Sequence, residues 1–94
     1  EKIVEKIAHN PATIFKVNKR GFLREGYYAD IVLIDTNTPT HVTKESILYK
    51  CGWSPFEGQK FDNSIYKTIL NGNVVYENGK VNSIPYGKKI TFNR

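Results

Sequence analysis

Apolar residues at the start of the chain recur with the period of a helix. An amphipathic helix is predicted over residues 1–8, because three apolar side chains share one face: Ile3, Val4 and Ile7. Asn10 can cap a second short helix, and Pro11 suits its first position. The pattern therefore predicts two short helices within residues 1–18.

Beyond these helices the period changes to that of strands. Residues 31–35 (IVLID) form an almost continuous β-branched and aliphatic run, which predicts a buried strand. Residues 65–70 and 73–77 flank an Asn-Gly pair at 71–72, which is the strongest short-range signal of a β-hairpin. A second Asn-Gly pair at 78–79 extends the prediction to a meander of two or three antiparallel strands.

Shorter signals lie between and after these elements. The glycine-bracketed residues 21–26 suit a strand or a turn, and residues 40–43 suit a short strand. Thr43 can cap a helical turn, and Asp35 stands where a turn favours a side-chain acceptor. The tail, residues 89–94, alternates like a final strand. We therefore expect a mainly β fold with short N-terminal helices.

Length and composition indicate one folded domain with a thin core. The chain has 94 residues, of which 39% are hydrophobic and 13% aromatic, too many for a disordered segment. It contains no apolar run near the roughly 20 residues of a transmembrane helix. A single cysteine fits a reducing cytoplasm better than a disulfide-stabilised secreted domain. Because the chain begins with Glu1 and contains no Met, we expect it to be a piece of a longer protein.

The net charge of +5 raises the question of nucleic acid. The positive residues are mostly scattered, and only residues 16–24 and 88–94 form local clusters. We favour a solvated basic surface, since a binding stripe needs clustered charge. A small basic β module that binds nucleic acid through Lys, Arg and stacking Tyr or Trp side chains is the alternative.

The sequence predicts no complete active site. Zinc is bound best by histidine and cysteine side chains, which usually occur as closely spaced pairs in the sequence. Here the residues of this kind are isolated from one another: His9, His41 and Cys51. Cys51 follows Lys50, but nothing in the sequence ties a histidine base to it, so we predict a structural, partly buried cysteine. The glycines match no phosphate-binding motif, and Asp30 and Asp35 simply flank a strand. We therefore expect no catalytic, cofactor-binding or metal-binding residue.

Three stretches carry a family resemblance. Residues 10–35 (NPATIFKVNKRGFLREGYYADIVLID) resemble the carboxy-terminal segment of the amidohydrolase superfamily, and residues 68–81 (TILNGNVVYENGKV) look like its final strands. Residues 48–58 (LYKCGWSPFEG) resemble a loop of dihydroorotases and of their cyclic-amidohydrolase relatives, allantoinase and hydantoinase. The form of this loop is most similar to that of bacterial dihydroorotases.

The resemblance implies a division of the chain. Residues 1–18 would pack on a catalytic barrel outside this sequence, and residues 19–94 would form part of a small composite β-sandwich, completed by N-terminal strands of the parent protein. Within the loop at 48–61, an apolar contact set would dock on the barrel: Trp53, Pro55 and Phe56. An isolated piece of this kind would expose strand edges, which favours self-association.

The resemblance also implies an activity for the parent protein. Dihydroorotases hydrolyse dihydroorotate reversibly to N-carbamoyl-aspartate in pyrimidine biosynthesis, with a pair of metal ions, expected to be zinc, on the barrel. An allantoinase- or hydantoinase-type parent is the alternative. None of the family's metal-binding motifs occurs in this sequence. We therefore expect this chain alone to be inactive, to bind no cofactor and to serve a structural role.

Overall fold

The computed structural model describes residues 1–94 and opens with one continuous helical run. This run consists of α1 (Lys2–Val4), a π-helical turn (Glu5–His9) and α2 (Asn10–Ile14). None of the helices is long and apolar enough to cross a membrane. The prediction of two helices separated by an Asn10 cap was wrong, because Asn10 has helical backbone angles (φ −63°, ψ −48°).

The π-helical turn explains how the helix continues through a proline. Pro11 has no N–H, and its ring crowds the carbonyl four residues earlier. Immediately before Pro11, the N–H of Asn10 donates to the carbonyl of Glu5, five residues earlier. This wider turn relieves the local conflict, so the chain stays helical where the sequence signal favoured a break.

The helix ends in a Schellman motif. The N–H of Val17 donates to Ala12 O at 2.9 Å, and the N–H of Lys16 donates to Thr13 O at 3.3 Å. Lys16, at the position that usually holds glycine, has a φ of 55°. A left-handed conformation costs a non-glycine residue about 1–2 kcal/mol. Lys16 therefore carries backbone strain that a glycine would avoid.

Gly21 brings the following loop back onto the helix. It has a φ of +87°, and a Cβ at this position would overlap Ala12 Cβ and lie 2.8 Å from Ala8 O. The approach covers Ala12, which is the one buried residue of the chain. Residues 21–26 form turns and bends without a strand.

Four antiparallel strands form the main sheet, in the order β1 (Ile31–Asp35), β4 (Ser64–Leu70), β5 (Asn73–Glu77) and β6 (Lys80–Val81). The predicted meander is confirmed. Both Asn-Gly pairs have positive φ angles at both residues, 50° and 78° at 71–72 and 50° and 81° at 78–79. These angles are those of type I′ turns, which match the twist of the strands they join.

A two-stranded ribbon pairs β2 (Thr40–His41) with β3 (Lys60–Phe61). Thr43 caps the 3₁₀ turn Lys44–Ser46 as predicted, since its Oγ1 accepts from the N–H of Ser46 at 3.3 Å. The predicted tail strand was wrong, because residues 89–94 form only a single bridge, between Phe92 and Val17. The fold class, mainly β with a short N-terminal helical segment, is confirmed.

The sheet is less covered than the sequence predicted. The strand at 31–35 forms, but its burial was predicted wrongly: Val32 is 51% exposed and Ile34 62%. The accessible surface is 7834 Å², whereas a compact protein of this mass exposes about 5,500 Å². The radius of gyration is 15.3 Å, against about 12.4 Å for a compact domain of this length. The burial predicted for the strand IVLID is therefore not achieved within these 94 residues.

Gly21→Ala should lower the free energy of unfolding by about 3 kcal/mol, because it adds steric overlap to the cost of a left-handed alanine. Gly26→Ala is the matched control, since Gly26 has a φ of +83° and no atom within 4 Å of an added Cβ. The control should lose only about 1 kcal/mol. Urea unfolding followed by circular dichroism measures both values, and equal losses would contradict the close approach of Gly21 to the helix.

Candidate docking surface

The N-terminal helical run presents an uncovered apolar face. Ile3 and Ile7 are each 72% exposed, and Val4 is 48% exposed. These side chains have the spacing of one helical face, as the sequence predicts. A helix normally buries such a face against another layer, so this face is a candidate docking surface.

A second uncovered surface is a groove of about 730 Å³ beside the main sheet. Strand register explains its composition, because Ile34 pairs with Ile65, and Tyr76 pairs with both Thr68 and Val81. Cross-strand partners lie on the same side of a sheet. Phe61 and Thr40 of the β2–β3 ribbon complete the lining. The groove is therefore an apolar face between a sheet and a ribbon, and it has no covering element in this chain.

Sequence reasoning missed this groove. The β1–β4 register shifts between Leu33 and Ile34, so the two strands do not pair with one uniform offset. A bulge of this kind leaves no periodic signal in the sequence. One sequence signal could have predicted an uncovered face. Residues 31–35 are apolar at both odd and even positions, which is typical of a strand whose two faces are both buried.

The loop at 48–61 is the third part of the surface. Its base is anchored on Val42, whose N–H donates to Gln59 O at 2.9 Å and whose carbonyl accepts from the N–H of Gly58 at 2.8 Å. Tyr49 Oη donates to Trp53 O at 2.7 Å, which braces the loop internally. Trp53 is 62% exposed, and Phe56 is 52% exposed while meeting the ring of Phe61 edge-on at 6.0 Å.

The rare residues of the sequence take separate places. Cys51 is exposed, so its predicted partial burial was wrong, since no other segment of the chain covers this part of the loop. His9 lies where the π-helical turn meets α2, with Nδ1 2.7 Å from Gly21 O and its ring stacked on Phe22 at 4.3 Å. His41 lies in the β2–β3 ribbon. No three His, Cys, Asp or Glu side chains come together in a metal-binding arrangement.

Asp35 has the turn role that the sequence predicts. Its Oδ1 accepts from the N–H of Asn37 and its Oδ2 from the hydroxyl of Thr38, both at 2.8 Å. The backbone N–H of Asn37, and then the hydroxyl of Thr38, stabilise the charged carboxylate and hold the pKa of Asp35 below its ordinary value of 3.8. This carboxylate therefore closes the turn after β1.

The turn contribution of Asp35 should depend on pH. Because the folded-state pKa is lowered, the stabilisation is fully present above the ordinary value of 3.8 and is lost as the pH falls through the folded-state pKa. We expect the difference in unfolding free energy between the wild type and Asp35→Ala to stay level from pH 6 to about pH 4.5 and then to shrink as the pH falls to 2.5. Urea titrations at each pH measure this difference, and a constant difference would contradict the assignment.

The chain is similar in sequence to one family of known proteins. A family model described as the amidohydrolase family matches residues 1–75. An allantoinase of Desulfitobacterium hafniense (strain Y51) is 37% identical over 89 residues, which are 95% of this chain and 20% of that protein. A dihydroorotase of Pyrococcus abyssi is 36% identical over 88 residues, 94% of this chain and 22% of that protein. A dihydroorotase of Endomicrobium trichonymphae is 42% identical over 76 residues, 81% of this chain and 18% of that protein. The chain thus spans about a fifth of the length of the curated relatives it matches.

Proposed function

The chain belongs to the amidohydrolase family, and from that premise we propose that it is a structural, non-catalytic, carboxy-terminal portion of a dihydroorotase-like hydrolase. The observation that carries the proposal is the deficit of burial: one residue of 94 is buried, although the helix, the sheet and the loop all present apolar side chains. Faces of this kind fit a chain whose covering layer lies elsewhere in a larger protein.

The proposal assigns each uncovered face a partner. Residues 1–18 lie on the catalytic barrel through the apolar helix face, and Trp53, Pro55 and Phe56 dock on the same barrel. Residues 19–94 form part of a composite β-sandwich whose remaining strands come from the amino-terminal part of the protein. The edge position of β1 supports this arrangement, because β1 has a hydrogen-bonded neighbour on one side only.

The activity of the whole protein, in this proposal, is hydrolysis of a cyclic amide. Dihydroorotate is the first candidate substrate because of the dihydroorotase relatives, and its product is N-carbamoyl-aspartate. Allantoin is the second candidate because of the similarity to the Desulfitobacterium allantoinase. A metal pair would lower the pKa of a bridging water. The side chains of this chain do not gather into a site for such a pair, so we assign the pair to the barrel and derive no step from it here.

Hybrid enzymes test the non-catalytic assignment. The matched segments of the Endomicrobium dihydroorotase and the Desulfitobacterium allantoinase are each replaced by this chain. We expect each hybrid to keep the substrate of its host, with kcat/KM within about tenfold, a change of about 1.4 kcal/mol in transition-state free energy. Hybrids in which the two hosts exchange their own segments are the controls. The proposal would be overturned if a hybrid took a different substrate from its host, because the segment would then determine specificity. Assays of the full-length protein with dihydroorotate and with allantoin distinguish the two candidate substrates.

Trp53→Ala in the dihydroorotase hybrid tests the docking loop. Removing a large aromatic side chain from a buried contact should cost about 3 kcal/mol of stability and lower the melting temperature. The metal content per chain should stay the same, because the loop holds no ligand in this proposal. Ile84→Ala is the control, since Ile84 is 56% exposed and lies outside the loop. Loss of metal, or equal effects of the two substitutions, would argue against docking through Trp53.

A further inference from the structure

The two basic clusters of the sequence, residues 16–24 and 88–94, meet in the fold. The N–H of Asn18 donates to Thr91 O and the N–H of Asn93 donates to Lys16 O, both at 2.8 Å. Val17 and Phe92 form a bridge between the same two segments. Seven of the 14 Lys and Arg residues thereby lie in two adjoining segments: Lys16, Lys19, Arg20, Arg24, Lys88, Lys89 and Arg94.

A polar pocket of about 320 Å³ opens where these segments meet the end of the helix. Lys16, Arg20 and Arg24 line it together with Tyr27 and Asn93, and no carboxylate is among the lining residues. Arg20 pairs with Asp30, whereas Lys16 and Arg24 form no ion pair. The pocket therefore carries an uncompensated positive charge.

The guanidinium of Arg24 lies against two aromatic rings. Its guanidinium lies 4.0 Å from the ring centre of Phe22 and 5.7 Å from that of Tyr27, and Phe22 is itself stacked on His9. Stacking occupies the face of a guanidinium and leaves its N–H groups, which form a planar fork, free for an oxyanion. Tyr27 Oη accepts a long hydrogen bond of 3.5 Å from Arg24, so the hydroxyl proton of Tyr27 is available to a ligand.

Two further features lack an explanation within the chain alone. Nε of Arg20 is buried without an acceptor, although Arg20 lines the pocket. Lys16 occupies the left-handed position that favours glycine. A buried donor without a partner and a strained residue are both unfavourable unless a ligand or function uses them. An anion in the pocket would use the charge of Lys16, and the positive charge of Arg20 lies beside it.

We propose that this pocket binds the phosphate group of a small molecule. Arg24 supplies a donor fork, Lys16 supplies a second positive charge, and Tyr27 Oη supplies a further donor. The pocket volume lies at the small end of the range for ligand sites, which suits a phosphate and the first atoms attached to it. The pocket is lined by none of the side chains through which docking is proposed, Ile3, Val4, Ile7, Trp53, Pro55 and Phe56, so its test is separate from that of the proposed function.

The aromatic rings argue against a nucleic-acid strand as the ligand. Bases bind single-strand sites by stacking on free aromatic faces. Here Arg20 and Lys88 lie 4.4 and 5.8 Å from the ring centre of Tyr28, and Arg94 lies 4.5 Å from that of Phe92. The rings thus position cations, which favours recognition of a phosphate group over stacking of bases.

Titration of the chain with inorganic phosphate tests the site. Amide chemical shifts are followed at constant ionic strength against sodium chloride, so that screening is matched. We expect saturable shifts centred on Lys16, Arg24 and Tyr27, with a dissociation constant of about 1–10 mM. Arg24→Gln should weaken binding at least tenfold. Lys60→Gln, in β3, is the control and should leave binding unchanged.

Lys16→Gly separates binding from folding. The substitution removes a charge from the pocket and relieves the left-handed strain, so phosphate affinity should fall while the melting temperature rises by about 4 °C. Loss of affinity with a gain in stability cannot result from unfolding. Unchanged affinity in both Arg24→Gln and Lys16→Gly would overturn the proposal.

Two other outcomes would also overturn it. Shifts spread evenly over all lysines would indicate unspecific charge screening. A single-stranded 12-mer oligonucleotide that binds more than about a hundredfold tighter than phosphate, with a salt dependence of several charges, would indicate a polyanion surface instead.

If the isolated chain gives no resolved spectrum, the melting temperature of the dihydroorotase hybrid is measured with and without phosphate. A phosphate-dependent rise that Arg24→Gln abolishes is expected, and its absence counts against the site, whereas hybrid activity reports only on the proposed function.

Discussion

The ion pair between Arg20 and Asp30 connects the three parts of this fold. Arg20 follows the helical run, and its Nη1 donates to Asp30 Oδ2, immediately before β1. Asp30 Oδ1 accepts from the N–H of Asn71 at 2.9 Å, in the first hairpin turn. Arg20 Nη2 donates to Lys88 O at 3.3 Å, in the tail. With so little apolar burial, these polar contacts determine how helix, sheet and tail are placed relative to one another.

Other contacts around this pair reinforce the arrangement. The N–H of Gly72 donates to Ala29 O at 3.0 Å, and the side-chain amide of Asn71 donates to Tyr86 O. The side chains of Arg20 and Asp30 are 11% and 29% exposed. A pair this far removed from water contributes specific geometry more than net stability, because desolvation offsets much of its attraction. The same pair holds the tail close to the helix end, where the basic pocket forms.

Signals that act over a few residues could be predicted from the sequence, because their physical cause is local. The Asn-Gly turns need only positive φ angles, the Thr43 cap needs only a neighbouring N–H, and the Asp35 turn needs Asn37 and Thr38. The contact between Asp30 and Asn71 spans 41 residues and has no periodic signal. Asn10 shows how one local signal can override another, since the wider turn before Pro11 removed the need for a cap.

Burial was the property that the sequence predicted least well, and the reason is physical. An apolar strand such as 31–35 indicates that two faces need cover, but not which chain segment provides it. Cys51 illustrates the same limit in the loop, because its exposure depends on what lies above Trp53 and Phe56. The two Nη groups of Arg20 and the carboxylate of Asp30 find their partners within the chain, whereas the groove and the helix face have no covering element. The chain therefore combines a framework of polar contacts formed between its own distant segments with apolar faces that none of its own elements covers.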